Sequence, residues 1–308
     1  MTNASLGVRA NPSNRFVTVV AWGTMLSVSV LPNALLHELR VPEPPWLVWA
    51  KMGLLLALAV ATFFWSVLRS IRHFFLVVFA IFATEEIVSR VTSSIIWQGW
   101  FAPEGAGFTR TMLGEQLGRL TVALLIVGVL LGLGYRRREF FLVRGQLDAP
   151  ITPVGWLGFP EPVPWTHFGK RFSLYIAGVL LVFLIASGRP SLTSVVGAIP
   201  MLPAVVLLAA MNAFSEEMTY KASMLATLEP AVGSRHALWN TALFFGIGHY
   251  FGVPYGVIGV IMASFLGWIL GKAMLETRGF FWAWFIHFIQ DILIFYLMAI
   301  GSIAAGGS

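Results

Sequence analysis

The sequence predicts an all-α fold, a polytopic transmembrane bundle of about eight or nine helices. Hydrophobic residues fill 57% of the 308 positions and charged residues only 11%, whereas a soluble domain has about 25% charged residues. Apolar runs close to the roughly 20 residues that span a bilayer recur along the whole chain. These runs are long and lack strict alternation, so helices are favoured over the strands of a closed barrel as the spanning structure.

Nine apolar runs are predicted to be helical spans. They cover residues 16–37, 46–68, 73–98, 117–135, 172–188, 198–227, 236–251, 254–275 and 279–300. Pro32 interrupts the first run, but no convincing small-residue cleavage site follows it. We therefore interpret this run as a span and not as a cleaved signal peptide.

The positions of the basic residues predict the orientation of the bundle. The net charge of +6 would also suit nucleic-acid binding, but the Lys and Arg residues lie in short loops, where they set topology. The loops expected in the cytoplasm carry Arg69, Arg72, Arg136, Arg137, Arg138, Arg144, Lys170, Arg171, Arg235 and Arg278. The opposite loops carry chiefly Arg40, Lys51, Arg110 and Arg189. We expect a multi-pass cell-membrane protein with a cytoplasmic N-terminus, an external C-terminal tail and no nucleic-acid partner.

The longest connection, 136–171, is rich in Pro and Gly and divides the chain into two parts. Residues 1–139 are predicted to form N-terminal transmembrane helices of unclear role, and residues 140–308 a second membrane domain that carries the function. The chain has no cysteine, which excludes disulfides and thiolate metal sites.

Three polar motifs lie inside apolar spans of the second part. They are Glu216-Glu217-x-x-x-Lys221, Phe245-x-x-x-His249 and His287-x-x-x-Asp291. Carboxylates at bilayer depth cost at least roughly 2.5–3.5 kcal/mol each, so the adjacent glutamates indicate a function or specific partners. Positions 287 and 291 differ by four and share a helix face.

Glu216, His249 and His287 are expected at similar depths. They lie about 8–13 residues from the predicted cytoplasmic ends of their helices, which is roughly 12–20 Å below that face. The three motifs are therefore predicted to meet in one cytosol-facing cavity.

A glutamate and a neutral histidine can bind one water molecule and remove its proton, which makes a hydroxide equivalent beside a peptide carbonyl. A second histidine can donate to the oxyanion of the tetrahedral intermediate. Glu216, His249 and His287 would also suit zinc with an open position, although the sequence contains no H-E-x-x-H. The residues alone leave hydrolysis with and without a metal open.

The order of these motifs resembles the CPBP (ABI) family, which includes the type II CAAX prenyl endopeptidases. That family has E-E-x-x-x-R, then F-x-x-x-H, then H-x-x-x-N/D on successive late helices. The similarity covers roughly residues 140–295 and includes Phe141-Leu142-Val143-Arg144-Gly145, Gly252, Pro254, Gly256, Gly259 and Thr277-Arg278-Gly279. The resemblance implies a CAAX-protease-like catalytic domain at 140–308. It also implies a glutamic intramembrane endopeptidase that needs no metal and acts on a peptide or membrane-protein substrate within the lipid bilayer.

The resemblance also implies roles for individual residues. Glu216 with His249 would activate the water, and His287 with Asp291 would stabilise the oxyanion. Glu217 would be a supporting acid that the basic residue at position 221 holds in place.

Two positions depart from the simplest form of this site. Lys221 replaces the family arginine, which keeps the charge and the i,i+4 relation to Glu217 but loses the bidentate guanidinium. An ionised Asp291 cannot donate a hydrogen bond, so it would have to be protonated or only orient His287.

A second acidic motif, Glu85-Glu86-Ile87-Val88-Ser89-Arg90, matches E-E-x-x-x-R more closely than the first. No F-x-x-x-H or H-x-x-x-D follows it within the next two spans. We therefore predict a structural acid–base cluster that ties the N-terminal helices to the core.

The rival function is a non-proteolytic membrane protein of the same fold. It could be a bacteriocin self-immunity protein, a scaffold, or a proton-coupled transporter that uses the carboxylates as a relay.

Overall fold

A computed structural model of the chain describes residues 15–304, which form helices joined by loops. Its α-helices are α1 Arg15–Val28, α2 Leu31–Glu38, α3 Leu47–Phe64, α4 Arg72–Thr92, α5 Ile95–Phe101, α6 Phe108–Gly132, α7 Trp165–Gly188, α8 Leu192–Gly197, α9 Leu202–Glu216, α10 Ser223–Gly248, α11 Val257–Thr277 and α12 Phe281–Ala304. The predicted all-α fold is confirmed, since the described part has two isolated β-bridges and no longer strand. The predicted cytoplasmic N-terminus and the end of the predicted external tail lie outside the described residues.

Two of the predicted spans are broken in the structure. The first is divided into α1 and α2, which are bent by 49°, because Pro32 lacks an amide hydrogen and fits only in the first turn of a new helix. The prediction of one helix over 73–98 was wrong. α4 ends at Thr92, and the hydroxyl of Ser94 accepts a hydrogen bond from the amide of Trp97, which begins α5.

α10 folds back on itself at Gly233, whose φ of 80° and ψ of 158° are not helical. Side chains on either side of this turn lie next to each other. The rings of Tyr220 and Phe244 are 6.5 Å apart, and Nζ of Lys221 lies 3.2 Å from the ring centre of Phe245. Two antiparallel helices therefore occupy this region, as predicted.

Within the described part of the chain, six helical segments are long and apolar enough to cross a membrane, or seven with α1 and α2 taken as one span. This number treats Leu192–Gly248 as one segment despite the turn at Gly233. It also omits α4, because the charged residues Glu85, Glu86 and Arg90 lie close together in this helix and make it less apolar. With α4 and both arms of the turn included, the number agrees with the nine predicted spans. The chain is a multi-pass membrane protein.

The helices alternate in direction and end at two faces. We call one the arginine-rich face, because the loops at 65–71, 133–164 and 278–280 and the turn at Gly233 bring most of the loop arginines to it. The opposite face carries the loops at 39–46, 93–107, 189–191 and 249–256. This asymmetry is the one from which the cytoplasmic side is predicted.

The long connection between α6 and α7 is docked at the arginine-rich face. The amide of Gln146 donates to the carbonyl of Thr277, and the amide of Phe280 donates to that of Val143, each at 2.8 Å. Gly145 has a φ of +76°, and a Cβ there would lie 2.6 Å from Cα of Gly279. Glycine is therefore required where this connection crosses the turn between α11 and α12.

One hydrophobic core includes residues from both sides of the predicted boundary at 139/140, from Val17 to Ile286. α6 packs against α4 on one side and α9 on the other. A helix of the N-terminal part therefore lies directly beside the helix that ends in Glu216.

Candidate active site

The first motif lies where α9 passes into a π-helical turn. Glu216 is the last residue of α9, and the π-helical turn covers Glu217–Ala222. Such turns insert an extra residue into a helix and are frequent at functional sites. The Glu216 side chain is 12% exposed, whereas Glu217 and Lys221 are fully buried. The two adjacent glutamates therefore have different surroundings.

The two carboxylate oxygens of Glu216 have different partners. Oε1 accepts hydrogen bonds from Nη1 of Arg119 at 2.9 Å and from Nδ2 of Asn212 at 3.3 Å. Oε2 lies 3.7 Å from Nε2 of His287. Glu216 is thus held from one side and faces a histidine on the other.

His287 is surrounded by carboxylates. Its Nδ1 lies 2.8 Å from Oε1 of Glu217, which also accepts from Nζ of Lys221 at 2.7 Å. An ionised carboxylate only accepts, so Nδ1 carries the hydrogen. Nε2 lies 3.6 Å from Oδ1 of Asp291 and also faces Glu216. Lys221 and Glu217 together fix the orientation of the imidazole ring.

Asp291 is buried and accepts a hydrogen bond from Nδ2 of Asn212 at 3.0 Å. Asn212 lies one helical turn before Glu216 on α9. It supplies an amide group that the aspartate at position 291 lacks, and the sequence analysis missed it. The signal in the sequence was an asparagine four residues before Glu216 within an apolar run.

His249 follows the last residue of α10, and its Nδ1 donates to the carbonyl of Phe245 at 2.9 Å. This bond leaves Nε2 as the acceptor of a neutral ring. The Phe245 ring lies 4.4 Å from the ring of His249 and 6.1 Å from that of His287. Phe245 therefore packs against both histidines.

Glu216, His249, His287 and Asp291 line one cavity of about 430 Å³, which we call the cleft. The three motifs that were predicted to meet therefore share one cavity. The remaining lining is mostly aliphatic, from α7, α11 and α12, and includes Ile176, Val179, Leu180, Leu184, Met262, Leu266, Ile294 and Met298.

The cleft extends away from the arginine-rich face. Its lining uses the second halves of α7 and α12 and the first half of α11, which all approach the opposite face. Two further cavities that touch Glu216 extend in the same direction. The predicted orientation and the predicted cytosol-facing cavity are therefore in conflict, because the arginine-rich face is the one predicted to be cytoplasmic.

Arg119 is a second residue that the sequence analysis missed. It comes from α6, in the N-terminal part, and bridges Glu216 and Glu115, whose Oε1 lies 2.8 Å from Nη2. The signal was an arginine inside a predicted apolar span, which is costly without a partner.

The second acidic motif lies beside the site but outside the cleft. Glu85 accepts a hydrogen bond from the hydroxyl of Tyr220, which ties α4 to the π-helical turn as predicted. Glu86 and Arg90 form an exposed i,i+4 pair 2.8 Å apart. They take no part in the predicted tie to the core.

The zinc alternative does not fit this geometry. Across residues 15–304, no group of three His, Cys, Asp or Glu side chains is arranged to hold a metal ion. His287 bonds to Glu217 through Nδ1, and its Nε2 lies 3.7 Å from Glu216 and 3.6 Å from Asp291. We therefore derive no step through a metal.

The family model described as type II CAAX prenyl endopeptidase Rce1-like matches residues 198–293. Searches of curated proteins and of solved structures each found no match. The matched segment runs from the end of α8 into α12 and contains all three polar motifs. Over residues 198–293, this multi-pass membrane protein is therefore similar to the Rce1-like type II CAAX prenyl endopeptidase family.

Proposed function

We propose that the chain is an intramembrane endopeptidase of the glutamic type, in which Glu216 and His249 activate water. The observation that carries this proposal is the convergence of Glu216, His249, His287 and Asp291 on one cavity whose remaining lining is mostly apolar. A general base must lie close to its water and an oxyanion donor close to the carbonyl. The cleft brings both kinds of group together at bilayer depth.

The charges around His287 require one further proton. Three carboxylates face its ring, and two permanently basic side chains oppose them: Glu216, Glu217 and Asp291 against Arg119 and Lys221. Glu115 also contacts Arg119, but its side chain is 46% exposed, so it is not counted among the buried charges. An uncompensated charge in this environment costs several kcal/mol. We assign the proton to His287, because both of its nitrogens face carboxylate oxygens. His287 is then the electrophilic group.

The hydrolytic steps balance with peptide and water alone. The Glu216 carboxylate removes a proton from water, which Nε2 of His249 helps to orient, while the water oxygen bonds to the scissile carbonyl carbon. The carbonyl oxygen becomes an oxyanion and accepts a hydrogen bond from Nε2–H of His287. The C–N bond then breaks, the proton held by Glu216 passes to the amine nitrogen, and a carboxylic acid and an amine leave.

The remaining polar residues position these groups. Glu217 and Lys221 hold the His287 ring through Nδ1. Asn212 holds Asp291 and Glu216 on either side of Nε2. Asp291 therefore orients His287 in its ionised form and needs no proton of its own. Lys221 acts as a point charge on a single oxygen, so the bidentate fork of an arginine is not required at this position.

The aliphatic lining defines the class of substrate. A peptide reaching Glu216 must place an apolar side chain, a transmembrane segment or an attached lipid group along α7 and α11. We propose a membrane-protein or lipid-modified peptide substrate on this basis.

A proteomic comparison tests the proposal. Membranes containing the wild-type protein are compared with membranes containing Glu216→Gln, a near-isosteric change that removes the base. Glu85→Gln is the matched control, since Glu85 is also an intramembrane glutamate but lies outside the cleft. We expect an uncleaved membrane protein to accumulate at least tenfold with Glu216→Gln and to be processed normally with Glu85→Gln.

Loss of processing with Glu85→Gln but not with Glu216→Gln would show that the proposal assigns the base to the wrong glutamate. A biological phenotype that survives both Glu216→Gln and His249→Ala would favour the non-proteolytic function.

A further inference from the structure

A second cavity, of about 560 Å³, lies between α4, α5, α6 and α9 on the other side of Glu216 from the cleft. We call it the vestibule. A larger share of its lining residues is polar than in the cleft, among them Ser89, Thr92, Gln98, Thr111, Glu115 and Thr219. The function proposed above does not use it.

Polar side chains line the vestibule in stripes along two facing helices. On α6, Thr111, Glu115 and Arg119 follow one another at i, i+4 and i+8, and all three are exposed. On α4, Glu85 and Ser89 have the same spacing and line the same space. Residues four apart share a helix face. The vestibule is therefore a continuous polar groove and not a chance gap.

The exposure of Arg119 and Glu115 indicates what fills this groove. Each side chain is 46% exposed. Counted from the start of α6 at Phe108, Glu115 lies about 10 Å and Arg119 about 16 Å along the helix. Charged groups facing lipid at that depth cost roughly 2.5–3.5 kcal/mol or more each. Water contacting both side chains removes most of this cost.

Glu216 lies at the boundary between the vestibule and the cleft, and Glu115 and Arg119 beside it line both cavities. Oε1 of Glu216 contacts Arg119, whereas Oε2 faces His287, which lines the cleft and not the vestibule. A water molecule bonded to this carboxylate can therefore enter from a polar space while an apolar substrate occupies the other side. This separation matters because an apolar substrate in the cleft would block the entry of water along the same path.

The entrance of the vestibule lies at the opposite face, beside α5. Ile95, Ile96 and Trp100 of this short helix are 93%, 68% and 64% exposed, which is typical of a helix lying at the membrane surface. The Gln98 side chain donates to the carbonyl of Thr92 at 2.7 Å and holds α5 against the end of α4. α5 thus borders the groove.

We propose that the vestibule between α4, α5, α6 and α9 is a water-filled entrance that delivers water from the opposite face to the Glu216 carboxylate. The consumption of that water in hydrolysis rests on the proposed function, whereas the hydration of the vestibule does not. The N-terminal helices α4, α5 and α6 then have a role that the Rce1-like segment alone could not perform.

Cysteine labelling tests the proposal directly, because the chain has no cysteine to remove. Single cysteines replace Ser89 and Thr111, which line the vestibule but not the cleft. Ile185→Cys is the control, since Ile185 is 52% exposed and lines neither cavity. Like Ser89 in α4 and Thr111 in α6, it lies three residues from the end of its helix at the opposite face. Glu104→Cys and Arg137→Cys mark the opposite and arginine-rich faces.

A charged, membrane-impermeant methanethiosulfonate is added separately to right-side-out and inside-out vesicles, and the rate of modification is read as a mass shift. Thiolates react and thiols in lipid do not. We expect Ser89→Cys and Thr111→Cys to react at least tenfold faster than Ile185→Cys, from the same side as Glu104→Cys.

Rates equal to that of Ile185→Cys at both positions, or reaction from the side of Arg137→Cys, would overturn the proposal. If one vestibule variant has an altered unfolding transition, its labelling rate is not used. The labelling rate at the other vestibule position then tests the proposal. Modified Ser89→Cys should also process the accumulating substrate at least tenfold more slowly. Fast labelling without any Glu216-dependent processing would leave the vestibule in place and refute the proposed function instead.

Discussion

Removal of the charge of Lys221 should destabilise this protein more than removal of any surface charge. Lys221 and Glu217 are both fully buried, and Nζ lies 2.7 Å from Oε1. The same ammonium lies 3.2 Å from the ring centre of Phe245. Lys221→Met keeps the length of the side chain but leaves Glu217 without its basic partner.

The magnitude follows from the burial of this pair. Breaking a buried ion pair by removing one partner costs about 3–5 kcal/mol, mostly because the other charge stays buried. Oε2 of Glu217 already lacks a hydrogen-bond partner, which places Lys221→Met at the upper end of that range. Removing both charges with Lys221→Met and Glu217→Gln leaves no orphan charge, and the Gln oxygen can still accept from His287. The double variant should therefore recover about 2 kcal/mol or more relative to the sum of the single changes.

The free energy of unfolding can be measured by titrating detergent micelles with dodecyl sulfate and following helix content by circular dichroism. Arg90→Met is the matched control, because Arg90 and Glu86 form an i,i+4 pair of similar length with 68% and 30% of their side chains exposed. It should cost less than about 1 kcal/mol. Additive single and double changes, or a Lys221→Met cost no larger than that of Arg90→Met, would refute the reasoning.

Two glycine positions give further tests. Gly246→Ala would place a methyl group against Ser264 and 2.7 Å from the carbonyl oxygen of Val260, so α10 should separate from α11, with a loss of about 1–3 kcal/mol and of processing. A methyl group at Gly248, two residues further on, would meet open space, so Gly248→Ala should leave thermal stability unchanged. A loss of stability equal to that of Gly246→Ala would contradict this account. Gly279→Ala would bring a methyl group 2.6 Å from the carbonyl carbon of Arg144. This change should detach the long connection from the turn between α11 and α12, and limited proteolysis should then cleave faster between 133 and 164. Unchanged cleavage would refute the role given to the contact between Gly279 and this connection.

The number of membrane spans and the three polar motifs could be predicted from the sequence because both depend on local patterns. Apolar runs determine which segments can cross lipid, whatever they pack against. Glu216, His249 and His287 are conspicuous because polar groups are costly at bilayer depth. The second acidic motif was distinguished in the same way, since it lacks histidine partners in the following spans.

Other features depend on contacts between distant parts of the chain. Arg119 lies 97 residues from its partner Glu216, and Asn212 lies 79 residues from Asp291, so no local pattern pairs them. The π-helical turn at Glu217–Ala222 also leaves no signature in residue types.

The sequence by itself determined that this protein spans a membrane and predicted that a glutamate and two histidines lie at one depth, because the cost of polar groups in lipid acts on each helix separately. Only the tertiary structure decided which oxygen of Glu216 faces which partner, that Lys221 and Glu217 hold His287, and that the cavities extend away from the arginine-rich face. Those features depend on how the helices pack, and packing angles and rotations are set by shapes summed over many side chains.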